Sequence, residues 1–258
     1  RLLVLQALSV FSPRPQNIRR SDLNKCRGNS MIETDRRFKT MSGKVIVLEG
    51  LDGSGKATQA EYLAKAMTKK GKDVMQVSFP DYESNSSALV KMYLGGEFGA
   101  DPADVNAYAA SSFFAVDRYA SYKKNWGQFY EQGGMIICDR YTTSNAVHQC
   151  AKMPEDQWDG FLDWLFHYEY EKLGLPAPDE VIYLRTSPEA GQQLMAERYE
   201  GEDSRKDIHE NNVDYQALSR KAADYCAKKL GWKVIECIRN GQIRSVEEIH
   251  HEIMWLIG

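Results

Sequence analysis

Short apolar runs rich in β-branched residues recur along the chain at Lys44–Glu49 (KVIVLE), Val74–Ser78 (VMQVS), Met135–Cys138 (MIIC), Glu180–Leu184 (EVIYL) and Lys233–Cys237 (KVIEC). Stretches long enough for one or more helices separate them. Such alternation predicts an α/β fold, a parallel sheet whose two faces are both covered by helices. The first connecting helix is expected over Ala57 to Lys70. The clearest helix start is Asp101-Pro102, an N-cap residue followed by proline at the first helical position. That helix is expected to run towards Gln132, ahead of Gly133-Gly134. There is no internal repeat, and one domain over residues 42–258 is the economical reading.

Residues 1–41 break this pattern. They lack long periodicity, contain Pro13 and Pro15, and carry nine basic groups against three acids, a net of +6. The overall charge of −3 therefore leaves −9 on the remainder. A targeting segment and upstream sequence outside the working protein, with Met41 as its natural start, are both readings of this stretch. The second is the expectation, and residues 1–41 are treated as an unstructured leader outside the catalytic unit. The acidic body argues against a general nucleic-acid binder, which would carry a basic face. No apolar stretch approaches the roughly 20 residues needed to span a bilayer. The five cysteines are scattered, without a Cys-x-x-Cys or Cys/His cluster. They read as reduced thiols in a cytoplasmic protein rather than as a disulfide framework or a zinc site.

The strongest local signal is Gly50-Leu51-Asp52-Gly53-Ser54-Gly55-Lys56-Ala57-Thr58, between the first strand and the first helix. A phosphate chain needs many donors with little steric bulk. Glycines let backbone N–H groups curl around it, the helix N-terminus adds positive potential, and Lys56 supplies a mobile ammonium. The pattern asks for Ser or Thr after the lysine, and here Ala57 stands there, with the hydroxyl one place later in Thr58. Mg²⁺ is then expected to be held by the nucleotide, waters and a carboxylate elsewhere, with Asp52 and Asp139 as the candidates. The guanine signature Asn-Lys-x-Asp is absent. Asp139-Arg140-Tyr141 follows the third strand, at the carboxyl edge where ligands sit in doubly wound sheets, and an arginine there can grip a monophosphate with two hydrogen bonds. An ion pair closing the strand is the plainer reading of the same residues. Phe114 and Arg118 lie four apart on one helix face, suited to stacking on a base and bonding its carbonyl edge. A structural role in the core is the plainer reading of that pair.

Taken together, four ordered motifs resemble the thymidylate kinase family, the dTMP kinases among the small P-loop nucleoside monophosphate kinases. They are the loop Glu49 to Lys56 with its internal acid, Phe79-Pro80-Asp81-Tyr82, Phe113-Phe114-Ala115-Val116-Asp117-Arg118, and Asp139-Arg140-Tyr141-Thr142-Thr143-Ser144-Asn145-Ala146. The resemblance runs from about Gly43 to the C-terminus. It implies a P-loop NTPase fold with a five-stranded parallel sheet, helices on both faces and a short mobile lid. It also implies ATP and Mg²⁺, with dTMP as the acceptor. Gly50, Gly53, Ser54, Gly55, Lys56, Ala57 and Thr58 would hold ATP. Phe114 would stack on thymine, Arg118 and Asn145 would read its polar edge, and Arg140 and Tyr82 would hold the acceptor phosphate. Phe79 belongs to the Phe-Pro segment of the acceptor site, and Ser144 to the wall beside base and sugar. Asp52 would lie near the acceptor and the metal. His148 falls where members often carry an aromatic that crowds out a ribose 2′-OH, which puts strict deoxy-selectivity in question; an exposed helical histidine is the plainer reading.

In one branch of the family the residue matching Gly53 is an arginine that stabilises the moving phosphoryl group. Here the missing charge is expected from residues 198–207, which resemble the lid of the other branch (about 198–210). Arg205 is the first candidate and Arg198 the second. The expected reaction is ATP-dependent phosphorylation of dTMP to dTDP, with Lys56, Asp52, Arg140 and the lid arginines carrying it. A kinase for another nucleoside monophosphate, a nucleotide-binding module without turnover and a switch ATPase are the alternatives. Members are commonly homodimers, and a homodimer is expected here.

Overall fold

The computed structural model describes residues 42–198, 208–210 and 212–258, the side chains of 188 and 195–198 excepted. The expectation for residues 1–41 lies outside that range. The order is β1 (Lys44–Glu49), α1 (Lys56–Lys69), β2 (Val74–Ser78), α2 (Ala88–Leu94), α3 (Ala107–Ser121), α4 (Gly127–Glu131), β3 (Met135–Asp139), α5 (Thr142–Cys150) and α6 (Trp158–Phe166). Then come β4 (Glu180–Arg185), α7 (Pro188–Arg198), α8 (Val213–Leu230), β5 (Lys233–Glu236), a small hairpin of β6 (Ile238–Arg239) and β7 (Gln242–Ile243), and α9 (Val246–Ile257).

Strands β1 to β5 form one all-parallel sheet in the order β2-β3-β1-β4-β5. The residues of the central strands β1, β3 and β4 are apolar in near succession because both faces are covered. Val45, Val47, Ile136, Cys138, Val181 and Tyr183 turn to one face, where they pack with Ala146, Phe161 and Ala222 of α5, α6 and α8. Ile46, Leu48, Ile137, Ile182, Leu184 and Ile235 turn to the other and meet Ala60 and Leu63 of α1 and Ile249 and Ile253 of α9.

This division places the site. The helix after β1 lies on one face and the helix after its neighbour β3 lies on the other, so the chain parts above the carboxyl ends of β1 and β3. Such a switch point opens a crevice that an open α/β sheet uses for ligands.

Two expectations differ from the structure. The helix expected from Asp101 does not start there: Asp101 and Asp104 close a capping box around a single 3₁₀ turn, Pro102–Asp104, and Val105 is extended. A second cap, Asn106, whose Oδ1 accepts from the Ala109 amide at 2.9 Å, starts α3. Nor does α3 run smoothly to residue 132, because a π-helical turn at Tyr122–Trp126 separates it from α4. The wide turn lets Tyr122 and Trp126 both point inward and pack edge-to-face at 4.8 Å. The hairpin β6–β7 was also not anticipated, although Asn240-Gly241 at its tip, both with positive φ, is the sequence of a tight two-residue hairpin turn.

Candidate active site

The loop between β1 and α1 is shaped by close backbone approach. Gly53 has φ 75°, and a Cβ built on it would lie 2.3 Å from the carbonyl oxygen of Gly191 in α7. A Cβ on Gly191 would in turn meet the Asp52 carbonyl at 2.8 Å. This contact accounts for glycine at position 53, because the α7 backbone occupies the space where any side chain would begin. Lys56 opens α1 and is buried, its Nζ donating to the Leu51 carbonyl at 2.7 Å. Burial above all, then the Arg140 guanidinium, lowers its pKa to about 8, with Asp52, Asp139 and Glu49 pulling the other way.

Arg140 follows β3 with φ 65°, a strained left-handed conformation for an arginine. Its Nη2 pairs with Asp52, and its Nη1 donates to the Gly50 carbonyl at 3.3 Å and lies 3.8 Å from Glu49. Burial opposes ionisation of Asp52, yet Arg140 and Lys56 together hold its carboxyl well below the usual carboxylate range. Glu49 is fully buried and accepts from the Gly50 amide at 2.9 Å and from the hydroxyls of Thr143 at 2.7 Å and Ser144 at 2.9 Å. It thereby ties the phosphate loop to the first turn of α5.

A cavity of about 920 Å³ runs over this centre. Asp52, Gly53, Ser54, Gly55, Lys56, Ala57 and Thr58 line it from β1 and α1, Phe79 and Tyr82 from the loop after β2, and Phe114 and Arg118 from α3. Asp139, Arg140, Ser144, Asn145 and His148 line it from β3 and α5. Residues almost a hundred positions apart in sequence therefore converge. Gly50 lies beneath the lining. Phe79 is mainly a core residue, buried against Tyr141 with ring centroids 5.9 Å apart, whereas Tyr82 is half exposed at the rim. Arg205 lies outside the described residues, and Arg198 closes α7.

At one end of the cavity Arg118 is buried and gripped by Glu169, with Nε donating at 2.8 Å and Nη2 at 2.6 Å. Glu169 also accepts from Thr142 Oγ1 at 2.7 Å and Asn145 Nδ2 at 3.1 Å. The second Nδ2 proton of Asn145 goes to the Ser111 carbonyl at 3.1 Å. Both amide protons are thus committed, and the remaining hydrogen-bonding atom of Asn145 is its carbonyl oxygen. Phe114 stands edge-on to Tyr93 at 6.2 Å.

His148 is buried, not an exposed helical residue. It stacks on His209 at 5.4 Å and 20°, and its Nε2 lies 3.4 Å from Arg140 Nη1. Burial first, and Arg140 next, push its pKa down to about 3. Gln59, Thr186, Cys237, Ile243, Arg244 and Val246 also line the cavity.

Several site residues escaped the sequence reading. Glu169 sits in a charged run, His167–Lys172, that looks like a solvated face until a π-helical turn rotates it inward. Gln149 is fully buried, lines the cavity and, among the described residues, makes no hydrogen bond through either end of its amide. Asp117 accepts from the Asp81 amide at 2.8 Å and from Ser86 Oγ at 2.6 Å, pinning the loop after β2 to α3. The family motif carried Asp117 in its sequence without indicating that role.

A strand–glycine loop–helix cradle with its lysine, lining one cavity with an arginine from the end of β3, defines the class of P-loop phosphotransferases. A sequence profile of the family described as thymidylate kinase matches residues 48–253. The chain belongs to the thymidylate kinase family, and thymidylate kinase activity is what that membership confers. It is 31% identical over 176 residues to a thymidylate kinase of Mycobacterium tuberculosis, covering 67% of this chain and 80% of the relative. It is 28% identical over 262 residues to a thymidylate kinase of Arabidopsis thaliana, covering 96% of this chain and 86% of the relative. The fold is similar to that of a solved thymidylate kinase from Candida albicans, with a TM-score of 0.62 at 21% identity over 84% of this chain and 91% of the other.

Proposed function

We propose that this chain transfers the γ-phosphoryl group of Mg-ATP to dTMP, with residues 42–258 as the catalytic unit, a lid at about 198–210, and residues 1–41 outside it. The observation that carries the assignment of roles is the pairing of Arg118 and Asn145 through Glu169. Glu169 occupies Nε and one Nη2 proton of Arg118, which leaves the guanidinium a donor, and Asn145 offers only an acceptor. A 4-keto, 3-imido pyrimidine presents the complementary pair, an acceptor O4 beside a donor N3–H. Cytosine reverses both. Phe114 supports stacking on that base, and Arg140 with Tyr82 supports the acceptor phosphate below it. Ser144 and His148 form the wall towards the sugar.

Phosphoryl transfer asks the protein for positioning and charge stabilisation more than for covalent chemistry. Lys56 and the loop amides hold the donor phosphates, and Arg140 draws the acceptor phosphate towards them. Asp52, kept ionised, orients Arg140. The further positive charge on the moving group is assigned to Arg205 and Arg198, brought in by closure of the lid. For Mg²⁺ the fit rests on Asp139, whose Oδ1 is buried without a hydrogen-bond partner at the edge of the loop. A hard cation favours such an oxygen, and Asp139 with Asp52 would hold it beside the phosphates. When bound it would neutralise negative charge on the nucleotide phosphates. The absence of a hydroxyl at Ala57 is the one feature favouring a binding module without turnover.

ADP release measured over a panel of monophosphates tests the reading. dTMP and dUMP should be turned over, with dCMP lower in kcat/KM by at least about 100-fold, the cost of unpairing two polar groups. Equal rates with dCMP would overturn the assignment of roles, ADP release without acceptor would indicate a switch ATPase, and silence would indicate the binding module. A homodimer is part of the proposal, because Tyr108, Val116 and Tyr119 form an exposed apolar stripe on α3. A cytoplasmic setting suits the buried free thiols Cys138, Cys150, Cys226 and Cys237. Among the described residues no helix is long and apolar enough to cross a membrane.

A further inference from the structure

Beside the acceptor end of the cavity lies a buried polar chain that the transfer itself does not use. Lys152, just past α5, donates from Nζ to Tyr93 Oη at 2.6 Å and to the Val105 carbonyl at 3.1 Å. Tyr93, on α2, is fully buried, and its Oη lies 2.7 Å from Nε2 of His209. His209 lines the cavity, stacks on His148 and packs against Tyr215 at 4.8 Å.

Hydrogen-bond direction along this chain follows from the donor inventory. An ammonium only donates, so the Tyr93 oxygen accepts from Lys152 and its own proton is directed elsewhere. Of the His209 Nε2 at 2.7 Å and the Pro102 carbonyl at 3.4 Å, the nearer is His209 Nε2, which is assigned as the acceptor. His209 then accepts through Nε2 and carries its proton on Nδ1. The same logic holds for His148, whose Nε2 faces Arg140, a group with donors only.

We propose that Lys152 and Tyr93 are positioning residues: they fix the tautomer of His209 and hold it against His148 as the wall of the acceptor site. This deepens the dTMP reading and rests on it. Burial lowers the pKa of Lys152 to about 7, with Asp101 opposing, and burial holds His209 well below the usual histidine range. Among the described residues Tyr93, His209, His148 and Asp101 are the titratable groups around Nζ, and below its midpoint the ammonium form sets the direction of the chain.

The test is ring ¹⁵N spectroscopy of the histidines about one pH unit below the Lys152 midpoint, joined to steady-state kinetics. Wild type should show His209 with an unprotonated Nε2, and Lys152→Met should give a mixture of tautomers. The same variant should raise KM for dTMP about tenfold, the worth of one buried hydrogen bond, with kcat and KM for ATP within about twofold. Tyr93→Phe should do likewise, which keeps the test intact if Lys152→Met folds poorly, and Lys152→Arg should restore most of the affinity. A protonated Nε2 in wild type, or an unchanged KM for dTMP in either folded variant, overturns the proposal. If the tautomer is as expected but wild type forms no dTDP, it is the proposed reaction that fails and the tautomer relay stands.

Discussion

Arg118 and Glu169 show what a single buried pair demands. Two opposite charges taken out of water repay the cost of desolvation only while both are present and fully hydrogen-bonded. Glu169→Gln leaves the Arg118 guanidinium buried without its counter-charge, and should cost about 3–5 kcal/mol in denaturant unfolding. Because Asn145 and Thr142 lose the same anchor, KM for dTMP should rise while KM for ATP stays unchanged. Equal effects on both substrates would mean that Glu169 serves the core and not the acceptor site. Lys56→Ala should lower kcat by about 10²–10³-fold, since it removes a donor aimed at developing charge, and Ala57→Ser should be mild. A large gain from Ala57→Ser in single-turnover assays would overturn the assignment of metal binding to Asp139 and Asp52. Lys56 and Arg140 were legible in the sequence because the chemistry needs them at fixed places beside glycines or a strand end. Glu169 was not, since its burial depends on a helical irregularity that periodicity cannot reveal.

At the scale of elements, the loop and α7 are fitted to each other through two glycines. Gly53 and Gly55 both have left-handed backbone, with φ 75° and 84°, so alanine at either should cost about 1–2 kcal/mol from the backbone alone. They differ in surroundings: a Cβ at Gly55 meets nothing, whereas one at Gly53 collides with Gly191. Gly53→Ala should therefore unfold at lower urea concentration than Gly55→Ala, by a further about 1–3 kcal/mol. Equal midpoints would show that the α7 contact is not maintained in solution. The central strands β1, β3 and β4 were legible as near-continuous apolar runs buried on both faces, and the edge strands β2 and β5 by their β-branched residues at similar spacing. The start of α3 was not, because Asp101-Pro102 and Asn106 are both good caps within a few residues, and only packing selects the second. The hairpin at Asn240-Gly241 carried a recognisable signal but has strands too short to register as apolar runs.

The whole molecule stores a dependence on acidity in the imidazoles it buries next to cations. His148 is uncharged in the folded chain down to about pH 3, and His209 is likewise held well below its ordinary range. The unfolded chain takes up these protons near the ordinary histidine value of 6.5. Between these limits the unfolded state binds more protons, so stability is fully present above 6.5 and is lost as the pH falls towards 3. Each such group adds at most about 1.4 kcal/mol per pH unit to the slope. Asp52 adds a loss of the same sign only at lower pH, where its unfolded carboxyl begins to protonate near 3.8. Lys152 acts on the other side of neutrality: its depressed pKa makes stability rise with pH from about 7 towards 10.5. The decisive measurement is urea unfolding at a series of pH values spanning about 4.5 to 6.5, where the imidazoles dominate over carboxylates. His148→Phe keeps an aromatic ring in the stack and removes one titration, so its stability should fall less steeply with acid than that of wild type. Parallel slopes would mean that His148 is hydrated in the folded chain, and that the wall it forms with His209 is open to water.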